Sequence, residues 1–172
     1  MCIRDRCYVA KDRGEIPNGG GHGARGPRPL TTVVLDVSVA AKWVLPPAYE
    51  DLVPEAVHLL RRYAREEVRF IVPDLFWAEF GNVAWKAVRL GRWTADEAQS
   101  AIREIAGRNF PTVASKDLLV AALTIATSFD RSLYDCLYIA LAVTTRCEMI
   151  TADEKLANAV ALRLPVRWLG AL

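Results

Sequence analysis

The stretch that decides the fold runs from Val33 to Pro46, VVLDVSVAAKWVLP. Three apolar residues, Val33, Val34 and Leu35, end on a carboxylate, Asp36, and a short segment of helical character begins at once around Ser38. A continuous apolar run bounded by a polar turn reads as a strand covered on both faces, the kind found in parallel sheets. Asp36 falls just past the end of that strand, where an ionised carboxylate is costly unless it is paired or bound to a cation. The bland alternative is that Asp36 caps the helix. Ser38 is itself placed as that cap, which leaves Asp36 for other work.

Working outward, strand and helix signals alternate to the end of the chain. Pro54 opens a helix carrying Val53, Val57, Leu60 and Ala64 at helical spacing, with Arg61, Arg62, Arg65, Glu66 and Glu67 on its solvated side. Arg69 to Pro73 is a short strand, Asp74 an expected N-cap for a helix over Leu75 to Leu90, and Gly91 its stop. Thr94 and Glu97 form a T-x-x-E capping box for a helix reaching about Gly107. Phe110 to Ala114 is a third strand, and Asp117 is expected to cap an apolar helix over Leu118 to Ser128. Ser132 starts a helix over Leu133 to Thr145 that is apolar on nearly every side and so central. Glu148 to Thr151 is a strand, Glu154 to Leu162 a helix and Val166 to Leu169 the last strand. The expected fold is α/β, a three-layer α/β/α sandwich around a mainly parallel sheet of four or five strands. In such a sheet ligands bind beyond the carboxyl ends of the strands, near the point where strand order reverses.

A chain of 172 residues, 52% of them hydrophobic, is enough for one domain with a real core. No apolar run is long enough to span a membrane, and the N-terminus has no apolar signal-peptide core, so a cytoplasmic protein is expected. Cys2, Cys7, Cys136 and Cys147 show no C-x-x-C spacing, which argues against a disulfide or zinc framework. Residues 1–32, with Gly19 to Gly21 and Pro17, Pro27 and Pro29, lack apolar periodicity and are expected to be a disordered, non-native leader ahead of a domain over 33–172. That leader holds six basic residues against three acids, so the remainder is about neutral despite a formal charge of +2. Net charge therefore gives no argument for a nucleic-acid surface.

Four further acids need weighing. Glu79 lies at the edge of the stripe Phe76, Phe80, Val83, Ala87 and Leu90, with Lys86 on the same side as a competing salt-bridge partner. Asp135 is at the third helical position after Ser132, where an acid favours the helix dipole, yet it also tops the inward row Tyr138, Ile139 and Ala142. Asp153 follows a strand, and Thr151 with Glu154 satisfies the capping pattern without it. Asp130, in a turn, reads as a surface residue. Carboxylates of one sign converging on one sheet end repel each other and call for a cation. Oxygen-only donors suit Mg²⁺ or Mn²⁺ rather than zinc.

At this point the chain resembles the PIN-domain proteins of the VapC toxin type. Four stretches carry the resemblance: LDVSVAAKWVLPP (Leu35 to Pro47), VPDLFWAEFGNVAWK (Val72 to Lys86), SLYDCLYIALA (Ser132 to Ala142) and ITADEKLA (Ile150 to Ala157). The resemblance implies that Asp36, Glu79, Asp135 and Asp153 are the catalytic and metal-binding acids, with Ser38 and Thr151 as supporting polar positions. It implies a Mg²⁺- or Mn²⁺-dependent endoribonuclease, an RNA substrate, a cognate VapB-type antitoxin and a homodimer. Lys42 and Arg131 are candidate phosphate contacts, with a surface salt bridge as the competing role.

Other classes fit less well. A haloacid-dehalogenase-type phosphatase needs a D-x-D pair, and the third position here is Ser38. A receiver-type signalling domain needs paired acids and a lysine ending a later strand, and neither is evident. A non-catalytic PIN-like interaction module with a structural metal site is the remaining alternative. The histidines offer no metal-free route, since His22 is in the leader and His58 on a charged helix.

Overall fold

In a computed structural model, residues 30–172 are described. The expectation for the leader up to residue 29 lies outside the described residues. The first strand, β1 (Thr31–Leu35), starts two residues earlier than its apolar run suggests, because Thr31 and Thr32 already pair with Val68 and Arg69. It leads into the one-turn helix α1 (Val37–Ala41), then α2 (Val53–Ala64), β2 (Val68–Pro73), α3 (Leu75–Arg89), α4 (Ala95–Ala106) and the two-residue β3 (Thr112–Val113). The second half contributes α5 (Leu119–Phe129), α6 (Leu133–Thr145), β4 (Glu148–Thr151), α7 (Glu154–Val160) and β5 (Val166–Trp168).

The five strands form one sheet in the order β3-β2-β1-β4-β5, every pair parallel. The chain moves outward from β1 through β2 to β3, then returns to lay β4 on the other side of β1. Strand order therefore reverses between β1 and β4, which opens a crevice beyond Leu35 and Thr151, the ends of those two strands. Register fixes that rim: Leu35 pairs with Ile150, and the Asp36 N–H continues the ladder to the Ile150 carbonyl at 3.1 Å.

Val33, Val34 and Leu35 are all buried, so both faces of β1 are covered. Helix α6 packs against β1, β2 and β4, with seven consecutive buried residues from Cys136 to Ala142, as its all-round apolar sequence predicts. Beside β2, Phe70 stacks on Tyr63 at 4.8 Å and meets Phe110 edge-on at 5.6 Å. Trp43 joins this cluster and donates its indole N–H to the Ala56 carbonyl at 2.8 Å, tying the exit of α1 to α2.

The predicted capping box of Thr94 and Glu97 is present, and Gly91 takes the left-handed φ of 66° that ends α3. Two predicted caps are not made. Asp74 stands at the start of α3, but its carboxylate accepts the Ser115 N–H and hydroxyl instead, pinning the loop before α5. Asp117 lies in a 3-10 turn, and Leu118 occupies the cap position of α5. Among the described residues, no helix is long and apolar enough to cross a membrane.

Candidate active site

The rim of the β1–β4 crevice is built first from the backbone. Asp36 is buried and serves as N-cap of α1, its Oδ1 accepting the Ser38 N–H at 3.4 Å. This corrects the assignment of the cap to Ser38: the residue with extended φ and ψ ahead of the helix is Asp36, and Ser38 already lies inside the turn. The Ser38 hydroxyl donates to Asp36 Oδ2 at 2.7 Å, and the Thr151 hydroxyl donates to the same oxygen at 2.5 Å. Ser38 Oγ also accepts the Ala152 N–H at 3.0 Å. Asp36 thus caps a helix and is still held from a second strand, so a capping role does not exclude a functional one.

The mirrored expectation at β4 is corrected in the same way. Asp153 itself caps α7, its Oδ1 accepting the Leu156 N–H at 2.9 Å. Thr151 is fully buried, and its side chain turns to Asp36 while accepting the Asp153 N–H at 3.0 Å. A local T-x-x-E pattern does not reveal that Thr151 has a stronger partner 115 positions away.

The opposite wall comes from helices. Glu79 on α3 is half-buried and accepts the phenol of Tyr138, on α6, at 2.5 Å. One turn earlier on α6, Asp135 stands at the third position, where Ser132 Oγ accepts its N–H at 3.1 Å and donates to its Oδ2 at 2.7 Å. The Tyr138 link was not singled out from sequence. The available signal was a tyrosine three residues after an acid on an otherwise apolar face.

Electrostatics tie these acids together. Burial pushes the Asp36 carboxyl above its ordinary value, the donors on Thr151 and Ser38 pull it back, and the charge of Asp135 adds to the rise. Burial likewise raises Glu79, opposed by the Tyr138 hydrogen bond and reinforced by Asp36 and Asp135. Tyr138 is held far above the usual phenol range by burial, then by its bond to Glu79 and the nearby acids. The Cys136 thiol is pushed up to about 11, chiefly by burial and next by Asp135, with Arg131 acting in the other direction. Asp36, Glu79 and Asp135 therefore share one field, and the exposed Asp153 adjoins it through Thr151.

The two candidate phosphate contacts separate. Lys42 is buried and bridges Glu50 at 3.1 Å and Asp51 at 2.6 Å, so the salt bridge takes its charge. Arg131 is exposed beside the start of α6, anchored by its Nε–H to the Phe129 carbonyl at 3.1 Å. Asp130 sits in an exposed left-handed turn, the surface role expected of it.

Among the described residues, no group of three or more Asp, Glu, His or Cys side chains is placed to hold a metal ion. The donor chemistry nevertheless fits one kind of cation. Mg²⁺ keeps several waters and is commonly held by one or two carboxylates together with substrate phosphates. Asp36, Glu79 and Asp135 offer only oxygen donors, the kind Mg²⁺ takes, rather than the His and Cys that zinc prefers.

A parallel sheet with coupled carboxylates where strand order reverses defines an acid-centred α/β domain that receives its ligand at the carboxyl rim. The chain belongs to the PIN-domain family, whose model matches residues 33–162. PIN domains are generally nucleases, which places the chain among the phosphodiester hydrolases at the level of the family. No curated protein matches it in sequence.

Solved structures share the fold. PAE2754 from Pyrobaculum aerophilum is 20% identical, with a TM-score of 0.58 over 82% of this chain and 85% of that one. A toxin-antitoxin complex from Klebsiella pneumoniae contains a chain 15% identical, with a TM-score of 0.53 over 78% and 95%. VapBC2 from Rickettsia felis, bound to a DNA fragment from its promoter, contributes a match 12% identical, with a TM-score of 0.55 over 80% and 98%.

Proposed function

We propose that this PIN domain is a Mg²⁺- or Mn²⁺-dependent endoribonuclease, the toxin of a toxin–antitoxin pair. It works in the cytoplasm as a homodimer and is restrained by a VapB-type antitoxin that covers its acids. The observation that carries this reading is the shared field of Asp36, Glu79 and Asp135 at the β1–β4 crevice. The fold likeness to chains of the Klebsiella pneumoniae and Rickettsia felis complexes supports the toxin role.

Asp36, Glu79 and Asp135 would hold the cation, with Asp153 at the edge of the site. When bound, the cation supplies Lewis-acid polarisation of the scissile phosphate and acidification of the attacking water. The chain supplies position. The Thr151 and Ser38 hydroxyls both donate to Asp36 Oδ2 and the Ser38 N–H to its Oδ1, which fixes the carboxylate at the end of β1. Tyr138, on the same helical wall, steadies Glu79. Water attacks phosphorus, the bond to the 3′ oxygen breaks and that oxygen takes a proton, leaving 5′-phosphate and 3′-hydroxyl ends.

The test is cleavage of a labelled RNA pool with Mn²⁺, with the ends of the products mapped. Cutting that needs the cation, yields 5′-phosphates and disappears in Glu79→Gln is the expected result. Cutting that persists in that variant, or cyclic phosphate ends, would contradict the mechanism. No cutting, with the cation still bound, would favour the non-catalytic module.

A further inference from the structure

Helix α3 carries a second feature beyond Glu79. Asn82, Trp85, Lys86 and Arg89 follow that acid at spacings of three and four residues, so they share one helix face. All four are exposed, whereas Phe76, Phe80, Ala84 and Ala87 on the opposite face are buried. A solvated face of an amphipathic helix accounts for the amide and the two cations but not for an indole that is 51% exposed.

Two details give the face a chemistry. The Arg89 guanidinium lies over the Trp85 ring at 4.8 Å, while about half of the indole stays in solvent. Just past the helix the pairing repeats, with Arg92 over Tyr49 at 4.6 Å and Tyr49 56% exposed. Among the described residues, Lys86, Arg89 and Arg92 form no ion pair, and Glu79 is the only acid on α3. On the neighbouring α4, Glu97 is committed to Thr94 and Glu104 to Arg108, which leaves Asp96 at its first turn.

We propose that the Asn82–Trp85–Lys86–Arg89 face of α3 is a track for single-stranded RNA, on which a base stacks against the exposed indole of Trp85 while Lys86 and Arg89 hold phosphates. The track starts at the acid Glu79 and runs about 15 Å along the helix, so a strand lying on it delivers its next phosphates to the crevice. Unneutralised cations interleaved with an exposed aromatic fit a polyanion with free base faces better than a protein partner. Stacking requires an unpaired base, which selects single strands over duplex. A chain that is neutral over its folded part needs such a local grip.

The inference rests on the RNA-cutting reading, and the experiment separates the two. Binding of a fluorescein-labelled 12-nucleotide RNA of mixed sequence is measured by anisotropy in EDTA across a salt series, and Mn²⁺-dependent cleavage is scored in parallel. Trp85→Ala should weaken binding roughly five- to a hundredfold, and Trp85→Phe should largely retain it. Lys86→Gln combined with Arg89→Gln should flatten the slope of log affinity against log salt by about 1.4, at about 0.7 per phosphate contact. All of these sites are exposed, and unchanged melting temperatures will show that the variants fold. Wild-type affinity and slope in every variant, with cleavage intact, would overturn the track. Equal affinity for the matching duplex would overturn it too, as would normal RNA binding with lost antitoxin capture, which would assign the face to a protein. A wild-type chain that neither binds nor cuts RNA would bring down both readings together.

Discussion

The two walls of the crevice are built on different principles. On the β1–β4 wall, Asp36 is a short side chain fixed by strand register and capped by the Ser38 and Thr151 hydroxyls and the Ser38 N–H. On the α3–α6 wall, Glu79 is a long side chain reaching in from a helix, steadied by the Tyr138 phenol. Sheet hydrogen bonds set the first acid, whereas a single side-chain contact between two helices sets the second. The first wall thus fixes its charge through several bonds anchored in the sheet, and the second through one contact between side chains.

Variants on each side should therefore fail differently. Asp36→Asn keeps a residue that caps helices as well as aspartate does, so the chain should fold while cleavage falls about a hundredfold or more. A variant that retains activity in the RNA assay would break the distinction at its strongest point. Thr151→Val removes a buried hydroxyl shared by Asp36 and the Asp153 N–H, and should cost about 1–3 kcal/mol of stability by urea denaturation as well as activity. Tyr138→Phe keeps the ring and frees Glu79, so stability should change by about 1 kcal/mol or less while affinity for Mn²⁺ weakens several-fold. A loss of stability as large as that in Thr151→Val would show that the helical wall is as rigid as the sheet wall.

The smallest effect is in the pH dependence of the cation-free protein. Asp36 and Glu79 titrate above their ordinary values of 3.8 and 4.5, so in the window from those values up to the raised ones the folded chain binds more protons than the unfolded chain. Their contribution to stability is full below the ordinary values and is lost as pH rises through that window. Urea denaturation in EDTA should show wild type losing stability relative to Asp36→Asn as pH rises. A difference that stays constant would mean that the raised values have no energetic counterpart.

Much of this was legible in the sequence because its signals are local. The run Val33 to Leu35, the all-round apolar helix from Leu133 to Thr145 and the strand Glu148 to Thr151 each announce their element and their depth in the core. Asp36 and Asp153 follow, and Asp135 opens, one of those elements, whereas Glu79 was marked only by its place at the edge of the apolar stripe of α3. What failed was partner choice. Asp36 and Asp153 cap their own helices, and Thr151 and Asp74 spend their side chains on residues 115 and 41 positions away, which no spacing rule contains. For Lys42 the salt bridge that stood beside phosphate contact is the role it takes, with partners, Glu50 and Asp51, that only the folded turn identifies.

The most direct measurement is calorimetric titration of the folded chain with Mn²⁺, comparing wild type with Asp36→Asn. Saturable binding in wild type that is lost or weakened at least tenfold in the variant is the expected result. No binding by wild type, or equal binding by both, would contradict the assignment of the β1–β4 crevice as a cation-dependent nuclease site.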